Sequence, residues 1–362
     1  MGRPIDPALF DDNERQTAVA EHRQFLDVGP LDCECGKTLP NVTVAYETWG
    51  ALNAEKSNAI LVCHALSGDS HAVGWWDRIV GPGRAIDTEK YFVIGTNCLG
   101  GCQGTTGPTS PHPDGGLWGS RFPLVTIGDM VEAQMRLVRA LGVEALLGAC
   151  GGSMGGMQAL EWSLRGPGSV RKVWMTGSAR AHDAMQIAFN EIGREAIMRD
   201  PKWRGGDYPP DDPPRDGLAV ARMVGHLSYL SHASFESKFA RRYQDKQAPE
   251  WTLGTEFEVE SYLSYQADKF TKRFDPNSYL VLTRALDYYE RSSLAGSQSE
   301  YLFTSFTSDW LYPTRQSQEL LRLAQEAGCK AEHREIDLPY GHDAFLLDAG
   351  AQGRAAASFF AR

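Results

Sequence analysis

Short runs of apolar and β-branched residues recur along the chain and predict buried strands. They occupy residues 41–48, 59–63, 91–96, 146–150, 170–175 and 301–305, with a seventh candidate at 331–336. Segments of helical period lie between several of them, most clearly at 127–141. Strands that alternate with helices predict an α/β domain with a mainly parallel sheet flanked by helices. The alternation of Val42, Val44 and Tyr46 predicts an antiparallel start to that sheet.

The alternation of strands and helices stops after Ala179. From there to about Ser297 the chain shows helical patterns only, at 184–198, 218–230, 235–243, 259–270 and 278–289. Prolines at 209–210 and 213–214 separate the first two helices. We therefore predict a core domain formed by residues 1–179 and 298–362, with an all-helical cap inserted at 180–297. Such a cap would cover the carboxyl ends of the strands, where ligands bind in open α/β sheets.

Composition narrows the class of protein. The chain has 362 residues, 42% hydrophobic and 23% charged, as in ordinary globular enzymes. The net charge of -10 and the absence of a basic run argue against nucleic-acid binding. The first residues lack a secretory-signal pattern, and no stretch approaches the roughly 18 apolar residues of a membrane span. We expect a cytoplasmic protein that binds no membrane.

The cysteines give little sign of a metal centre. Seven are scattered along the chain, and Cys33 and Cys35 form the one close pair. No second Cys or His pair follows at zinc-like spacing. We expect no metal site and no bound cofactor.

The strongest local signal is Gly151-x-Ser153-x-Gly155, between an apolar strand and an amphipathic helix. That context is typical of the nucleophile elbow of the α/β-hydrolase fold, in which a serine occupies a strained turn. The backbone N–H of Met154 would then face a developing oxyanion at the positive end of the helix dipole. The alternative is a glycine-rich turn that serves packing or binds phosphate.

A serine nucleophile needs a base, and in this fold class the order is serine, acid, histidine. His342 lies in the loop between the last predicted strand and the final helix, whereas His333 lies inside that strand. We predict His342 as the base. Asp309, in the loop that follows the preceding strand, is the predicted acid.

Two other carboxylates compete for the role of the acid. Asp337 lies at the strand end itself, and Asp343 adjoins the base, where it would more easily meet substrate. The second oxyanion donor should come from the loop after an early strand, and Leu66 fits this position. His64, in the same loop, is either a second base or, as we favour, a buried residue that supports the loop.

Several motifs, taken in order, resemble the homoserine O-acetyltransferase family across nearly the whole chain. They include Cys63-His64-Ala65-Leu66-Ser67-Gly68, Ala221-Arg222-Met223-Val224-Gly225-His226 and Asp309-Trp310-Leu311-Tyr312-Pro313. The other matching segments are 75–77, 80–83, 97–108, 151–162, 188–191 and 341–345.

The resemblance implies transfer of an acyl group from acetyl-CoA, a co-substrate, to the hydroxyl of L-homoserine in methionine biosynthesis. It implies a ping-pong reaction through an acyl-enzyme on Ser153 and a homodimer built through the cap. It also assigns Arg222 to the homoserine carboxylate, with Tyr229 as its support, and Asp343 to the amino group. An Arg fork matches a carboxylate, and a carboxylate suits an ammonium.

Other interpretations stay open at this point. Thr105 and Thr106 either shape the substrate pocket or serve turn structure. The same fold could use succinyl-CoA as donor or serine as acceptor. A simple esterase and a catalytically inactive binding protein are the more distant alternatives.

Overall fold

Twelve strands and eleven α-helices make up the computed structural model, which describes residues 22–362. The strands are β1 (Gln24–Asp27), β2 (Leu31–Asp32), β3 (Thr38–Leu39), β4 (Thr43–Trp49), β5 (Ala59–Cys63), β6 (Val80–Gly81), β7 (Ile86–Asp87), β8 (Phe92–Thr96), β9 (Leu146–Gly152), β10 (Val170–Thr176), β11 (Glu300–Phe306) and β12 (Ala331–Ile336). The helices are α1 (Ala72–Trp75), α2 (Ile127–Ala140), α3 (Met154–Arg165), α4 (Ala184–Arg199), α5 (Arg215–Tyr229), α6 (His232–Lys238), α7 (Glu258–Thr271), α8 (Pro276–Tyr288), α9 (Thr314–Glu326), α10 (Ala344–Leu347) and α11 (Ala351–Ala361).

Eight strands form one twisted sheet in the order β1-β4-β8-β5-β9-β10-β11-β12. The pairs β1–β4 and β4–β8 are antiparallel, and every later pair is parallel. Two short two-stranded sheets, β2–β3 and β6–β7, lie outside it. The predicted mainly parallel sheet and its antiparallel start are confirmed.

Helices cover both faces of the sheet, as its apolar strands require. Residues from α2, α3 and α9 pack against one face, and residues from α1, α10 and α11 pack against the other. The strand β5 is buried at all five positions, which explains its continuous apolar sequence. None of the helices in residues 22–362 combines the length and apolar character needed to cross a membrane.

A capping interaction encoded in the sequence fixes the start of α2. The Thr126 hydroxyl accepts the backbone N–H of Asp129, and the Asp129 carboxylate accepts that of Thr126, which makes a reciprocal capping box. The following turns bury one apolar stripe, including Met130 and Leu137. Together the cap and the stripe account for the predicted helix at 127–141.

Five helices, α4 to α8, occupy the interval between β10 and β11 that we predicted as a cap. The helix α4 packs against α5 and α8, and α5 packs against α7. One element of the prediction was wrong, since the helix expected at 235–243 is α6, which begins at His232 and ends at Lys238. Ser231 caps its start, and Ala240 takes a positive φ of 45°, which helical geometry does not allow.

Three further outcomes concern the ends of the chain and the short strands. The edge strand β1 was missed because its residues are mostly exposed and lack an apolar alternation. The pairs β2–β3 and β6–β7 contain two residues per strand and leave no periodic signal. The expectation that the first residues carry no secretory signal concerns residues 1–21, which lie outside the described residues.

The first turn of α3 packs directly on the end of β5. A Cβ at position 155 would overlap the carbonyl oxygen of Cys63. We expect Gly155→Ala to lower the free energy of unfolding by about 3 kcal/mol, because the added methyl meets backbone rather than a movable side chain. Denaturant unfolding followed by circular dichroism measures it.

Gly254→Ala is the matched control for that substitution. Gly254 lies in an exposed loop where a Cβ would stay 3.6 Å from its nearest neighbour. Its effect should stay within about 0.5 kcal/mol. Equal stability of the two variants would contradict the close packing of α3 on β5.

Candidate active site

Ser153 occupies a strained turn between β9 and α3. Its φ of 54° and ψ of −124° are unfavourable for a residue with a side chain, at a cost of about 1–3 kcal/mol. The surrounding backbone holds it there. The Ser153 N–H donates to the carbonyls of Thr176 and Gly177, both at 3.2 Å. The Ser178 hydroxyl donates to the Ser153 carbonyl at 2.7 Å.

The residues flanking the turn leave no room for side chains. A Cβ at Gly152 would overlap the ring of Phe345, and one at Gly156 would lie 2.6 Å from the Cβ of Ser178. Close packing around the serine therefore requires glycine at these positions.

Asp309 and His342 are in direct contact. His342 Nδ1 lies 2.8 Å from Asp309 Oδ2, and both residues are buried. The other carboxylate oxygen accepts the backbone N–H of Tyr312 at 2.8 Å. Asp337, a competing acid in the sequence, instead accepts the hydroxyl of Thr307 at 2.8 Å. His333 pairs with the neighbouring strand through the Ser305 hydroxyl at 2.8 Å.

Gly177 links the Asp309–His342 pair to Ser153. Its carbonyl accepts the Ser153 N–H, and a Cβ built on it would lie 3.4 Å from Asp309 Oδ2 and from His342 Nδ1. The three residues predicted to act together therefore share one site. Tyr312, whose ring stacks on His342 with centres 4.9 Å apart, lines the same cavity as Ser153.

Leu66 and Met154 lie beside Ser153, as predicted for oxyanion donors. Leu66 lines the same cavity as Ser153. Met154 is the first residue of α3, where backbone N–H groups have no partner within the helix. The cavity is small, about 50 Å³, and the other lining residues come mostly from α4 and α5 and from the segment before α9.

His64 supports the loop that carries Leu66. Its Nε2 accepts the backbone N–H of Cys98 at 3.0 Å, so its Nδ1 donates to the carbonyl of Ala65 at 2.7 Å. Burial lowers its pKa and keeps the ring neutral. With both nitrogens engaged, no lone pair is left for a second base.

A buried carboxylate braces the next part of that loop. Glu47, on β4, accepts the Ser70 hydroxyl and pairs with His71 Nδ1, both at 2.7 Å. Burial opposes ionisation of Glu47, but the hydrogen bonds from His71 and Ser70 hold its pKa below the usual value. Glu47 in turn raises the pKa of His71. Sequence reasoning missed this pair because 24 positions separate its members.

Arg222 lies on α5 against aromatic faces rather than against a carboxylate. Its guanidinium carbon is 4.6 Å from the centre of the Phe270 ring and 5.7 Å from that of Tyr229. One terminal nitrogen donates to the Ser67 hydroxyl at 3.4 Å. Its Nε is buried and has no hydrogen-bond partner among the described residues. A guanidinium with one buried N–H that lacks an acceptor is suited to bind an anion.

Tyr229 lies between Arg222 and His342. Its ring centre is 6.1 Å from that of His342. Burial raises its pKa, the charge of Arg222 opposes that rise, and the charge of Asp343 adds to it. The charges of Arg222 and Asp343 therefore both act on the Tyr229 phenol, which lies beside the buried imidazole.

Thr105 and Thr106 do not line the cavity beside Ser153. Their hydroxyls accept the backbone N–H groups of Ala45 and Thr43, at 2.9 and 2.8 Å. They brace the start of β4, which favours the turn-structure alternative. No spacing or periodicity in the sequence indicated that Tyr312 and His182 belong to the site. His182 Nε2 lies 2.7 Å from the Tyr312 hydroxyl, and both residues line the same cavity as Ser153.

Comparisons with known proteins agree with this architecture. Residues 58–349 match the family model described as alpha/beta hydrolase fold. A homoserine O-acetyltransferase of Methanohalobium evestigatum is 51% identical over 337 residues, or 88% of this chain and 69% of that protein.

Solved structures show the same fold. The homoserine O-acetyltransferase of Bacillus anthracis superposes with a TM-score of 0.88 at 29% identity, covering 94% of this chain and 97% of that one. An esterase superposes with a TM-score of 0.87 at 30% identity, covering 93% of this chain and 99% of that one.

The Glu47–His71 pair predicts a pH-dependent stability. Glu47 raises the pKa of His71 in the folded state. The pair therefore contributes fully to the free energy of unfolding below the pKa of an unfolded histidine, about 6.5. This contribution is lost as the pH rises through the folded pKa. We expect Glu47→Gln to cost about 1.5–3 kcal/mol at pH 6 and clearly less at pH 9, measured by denaturant unfolding.

Glu89→Gln, on an exposed turn, is the control and should behave like the parent at both pH values. A pH-independent loss in Glu47→Gln would show that the pair does not titrate as described. Arg23 Nε lies 3.8 Å from Glu47 Oε1, so a second basic group faces this carboxylate.

Proposed function

This chain belongs to the homoserine O-acetyltransferase family of α/β-hydrolase-fold acyltransferases, and from that premise we propose that it acetylates L-homoserine. The acetyl group would come from acetyl-CoA, and the products would be O-acetyl-L-homoserine and CoA. The reaction would serve methionine biosynthesis in the cytoplasm.

The arrangement of charge around Tyr229 carries this proposal. A free amino acid presents a carboxylate and an ammonium, so its site needs a cation and an anion close to the reacting group. Arg222 and Asp343 would supply these charges, both of which act on Tyr229 beside His342. A simple ester substrate would need neither charge.

The first half of the proposed reaction loads the enzyme. His342 takes the proton of the Ser153 hydroxyl while the oxygen bonds to the thioester carbonyl carbon. Met154 and Leu66 donate their backbone N–H groups to the resulting oxyanion. The carbon–sulfur bond then breaks, and the CoA thiolate leaves with the proton from His342.

The second half transfers the acetyl group to the acceptor. His342 takes the proton of the homoserine hydroxyl as that oxygen attacks the ester carbonyl. Breakdown of the intermediate returns the proton to the Ser153 oxygen. Asp309 fixes the imidazole so that Nε2 faces these oxygens, because its Nδ1 is engaged at 2.8 Å.

A relative at 51% identity is a homoserine O-acetyltransferase, which favours an acetyl donor over a succinyl donor. Arg222 would also attract a succinyl carboxylate, which would then compete with homoserine.

An esterase activity is the second candidate, because a solved esterase shares the fold at a TM-score of 0.87. The two activities differ in what accepts the acetyl group. A transferase should form acetylhomoserine faster than free acetate when homoserine is present. An esterase would release acetate at the same rate with or without it.

We also propose that the protein forms a homodimer through its cap. Large apolar side chains on the outer faces of α4 and α5 are exposed, among them Met185, Ile192 and Leu227. Exposed apolar groups that cluster on one surface mark protein contacts. A second copy of the cap would cover them.

Ser153→Ala should abolish acetyl transfer, with a loss of at least about 10³-fold, while the fold stays intact. Mass spectrometry after mixing with acetyl-CoA should find an acetyl group on Ser153 of the parent and none on the variant. Ser264→Ala, on the exposed side of α7, is the control and should keep full activity. A succinyl adduct formed in preference to acetyl would overturn the donor, and an active Ser153→Ala would overturn the mechanism.

Arg222→Ala should impair the use of homoserine and spare the loading step. Loss of a charged hydrogen-bonding partner lowers kcat/KM for homoserine by about 10- to 100-fold. The burst of free CoA from acetyl-CoA should persist. Arg199→Ala, with a side chain 81% exposed on α4, is the control. Equal loss of burst and transfer would contradict a role confined to the acceptor.

A further inference from the structure

The loop that carries Leu66 forms a tight turn just after β5. The Ala65 carbonyl accepts the backbone N–H of Gly68 at 2.9 Å, so Leu66 and Ser67 are the two central residues of a β-turn. A Cβ at Gly68 would lie 2.7 Å from the Cβ of His64, so the turn folds back closely on the strand end. The bond that closes the turn uses the N–H of Gly68 and not that of Leu66, the proposed oxyanion donor.

Two planar peptide groups connect the ends of this turn. The Ala65 carbonyl and the Leu66 N–H belong to one peptide group, and the Ser67 carbonyl and the Gly68 N–H belong to the other. Because the Gly68 N–H donates to the Ala65 carbonyl, the second group is hydrogen-bonded to the first. A donor on the Ser67 carbonyl therefore starts a line of two peptide groups that ends at the N–H of Leu66.

A cap arginine supplies that donor. Arg273 follows α7, and its Nη1 donates to the Ser67 carbonyl at 2.9 Å. The two residues are 206 positions apart, so no local sequence pattern indicates the contact. A hydrogen bond from a charged donor is stronger than one between neutral groups. Hydrogen bonds in a chain also polarise one another, so a cation at one end strengthens the donor at the other.

The segment from which Arg273 projects is fixed independently of its side chain. The Arg273 carbonyl accepts Gln103 Nε2 at 2.9 Å. The guanidinium carbon lies 5.4 Å from the centre of the Phe270 ring, which stacks in turn on Phe274 with centres 4.7 Å apart. A change of the Arg273 side chain leaves the backbone contact and the ring stack in place. The arginine can therefore be replaced without releasing this part of the cap.

Arg222 contacts the same serine in a different way. One of its terminal nitrogens donates to the Ser67 hydroxyl at 3.4 Å, and its guanidinium packs on the same Phe270 ring. A hydroxyl rotates about the Cα–Cβ bond, whereas a carbonyl oxygen moves only with its peptide group. The contact from Arg222 therefore leaves the backbone of the turn unrestrained, and the contact from Arg273 restrains it.

We propose that Arg273 is a positioning residue for the oxyanion donor Leu66 and acts through the two hydrogen-bonded peptide groups of the turn. It holds the Leu66 N–H in a fixed direction and strengthens it as a donor. Stabilisation of an oxyanion requires donors that are oriented before the reaction. The inference rests on the proposed function, through the roles of Ser153 and Leu66, and on neither the identity of the acyl donor nor that of the acceptor.

Acylation by p-nitrophenyl acetate tests this role without acetyl-CoA or homoserine. The Ser153 oxygen bonds to the acetyl carbon, nitrophenolate leaves, and the serine proton passes to His342. Arg273→Met keeps a stem that packs on Phe270 but removes the donor. Since loss of an oxyanion donor costs about 10²- to 10³-fold and here the donor is only released, the rate constant of the nitrophenolate burst should fall by about 5- to 50-fold. The amplitude of the burst should not change.

Two further variants of the full chain separate positioning from a merely structural role. Arg273→Lys restores a charged donor on a similar stem and should recover part of the lost rate. The KM for the ester should stay at the parent value in both Arg273 variants, because Arg273 contacts the loop and not the substrate. Arg241→Met is the matched control, since Arg241 is an exposed cap residue 5.6 Å from the Phe257 ring, and it should react like the parent.

The rate constant and the amplitude of the burst decide the outcome. An unchanged rate constant in Arg273→Met would overturn the positioning role, as would equal rate constants in Arg273→Met and Arg273→Lys. A lower amplitude at the parent rate constant would also overturn it, because the side chain would then only keep the protein folded. A parent protein that the ester acetylates on Ser153 and acetyl-CoA does not would overturn the proposed function alone.

Discussion

The close contact between the end of β5 and the first turn of α3 is the constraint on which the site depends. The Cys63 carbonyl occupies the space that side chains at positions 151 and 155 would need. This contact places the strained turn of Ser153 directly beside the loop that begins at His64. Ser153 and the proposed oxyanion donors therefore share one packing surface, so neither can shift without the other. The packing of the central sheet holds Ser153 in a backbone conformation that would be unfavourable by itself.

The cap completes a site that the sheet only begins. Ser153, Asp309 and His342 all come from segments at the carboxyl ends of strands, where parallel sheets collect ligands. The charges suited to an amino acid come in part from α5, through Arg222. Under the proposed function, the segments after the strands would supply the bond-making groups, and α5 would supply part of the recognition of the acceptor.

Sequence patterns predicted those parts of the molecule whose signals are local. The bounds of β5 follow directly from its apolar run, and the turn at Ser153 follows from its glycines. The edge strand β1 was missed because exposure removes the apolar alternation on which such predictions rely. The helix α6 ended early because Ala240 leaves helical geometry, which residue type does not reveal. His182 and Tyr312 are far apart along the chain, and only folding brings them into contact.

Asp309 and Tyr312 are three positions apart on a single loop between β11 and α9, joined by the hydrogen bond between the carboxylate and the backbone of Tyr312. Asp309 contacts the imidazole and Tyr312 lines the cavity beside Ser153, so the length of this loop sets the positions of both. An insertion or deletion of one residue would displace two side chains at once, while point changes at Trp310 or Leu311 would leave the spacing intact. In a directed-evolution library, this loop should tolerate substitution far better than any change in its length.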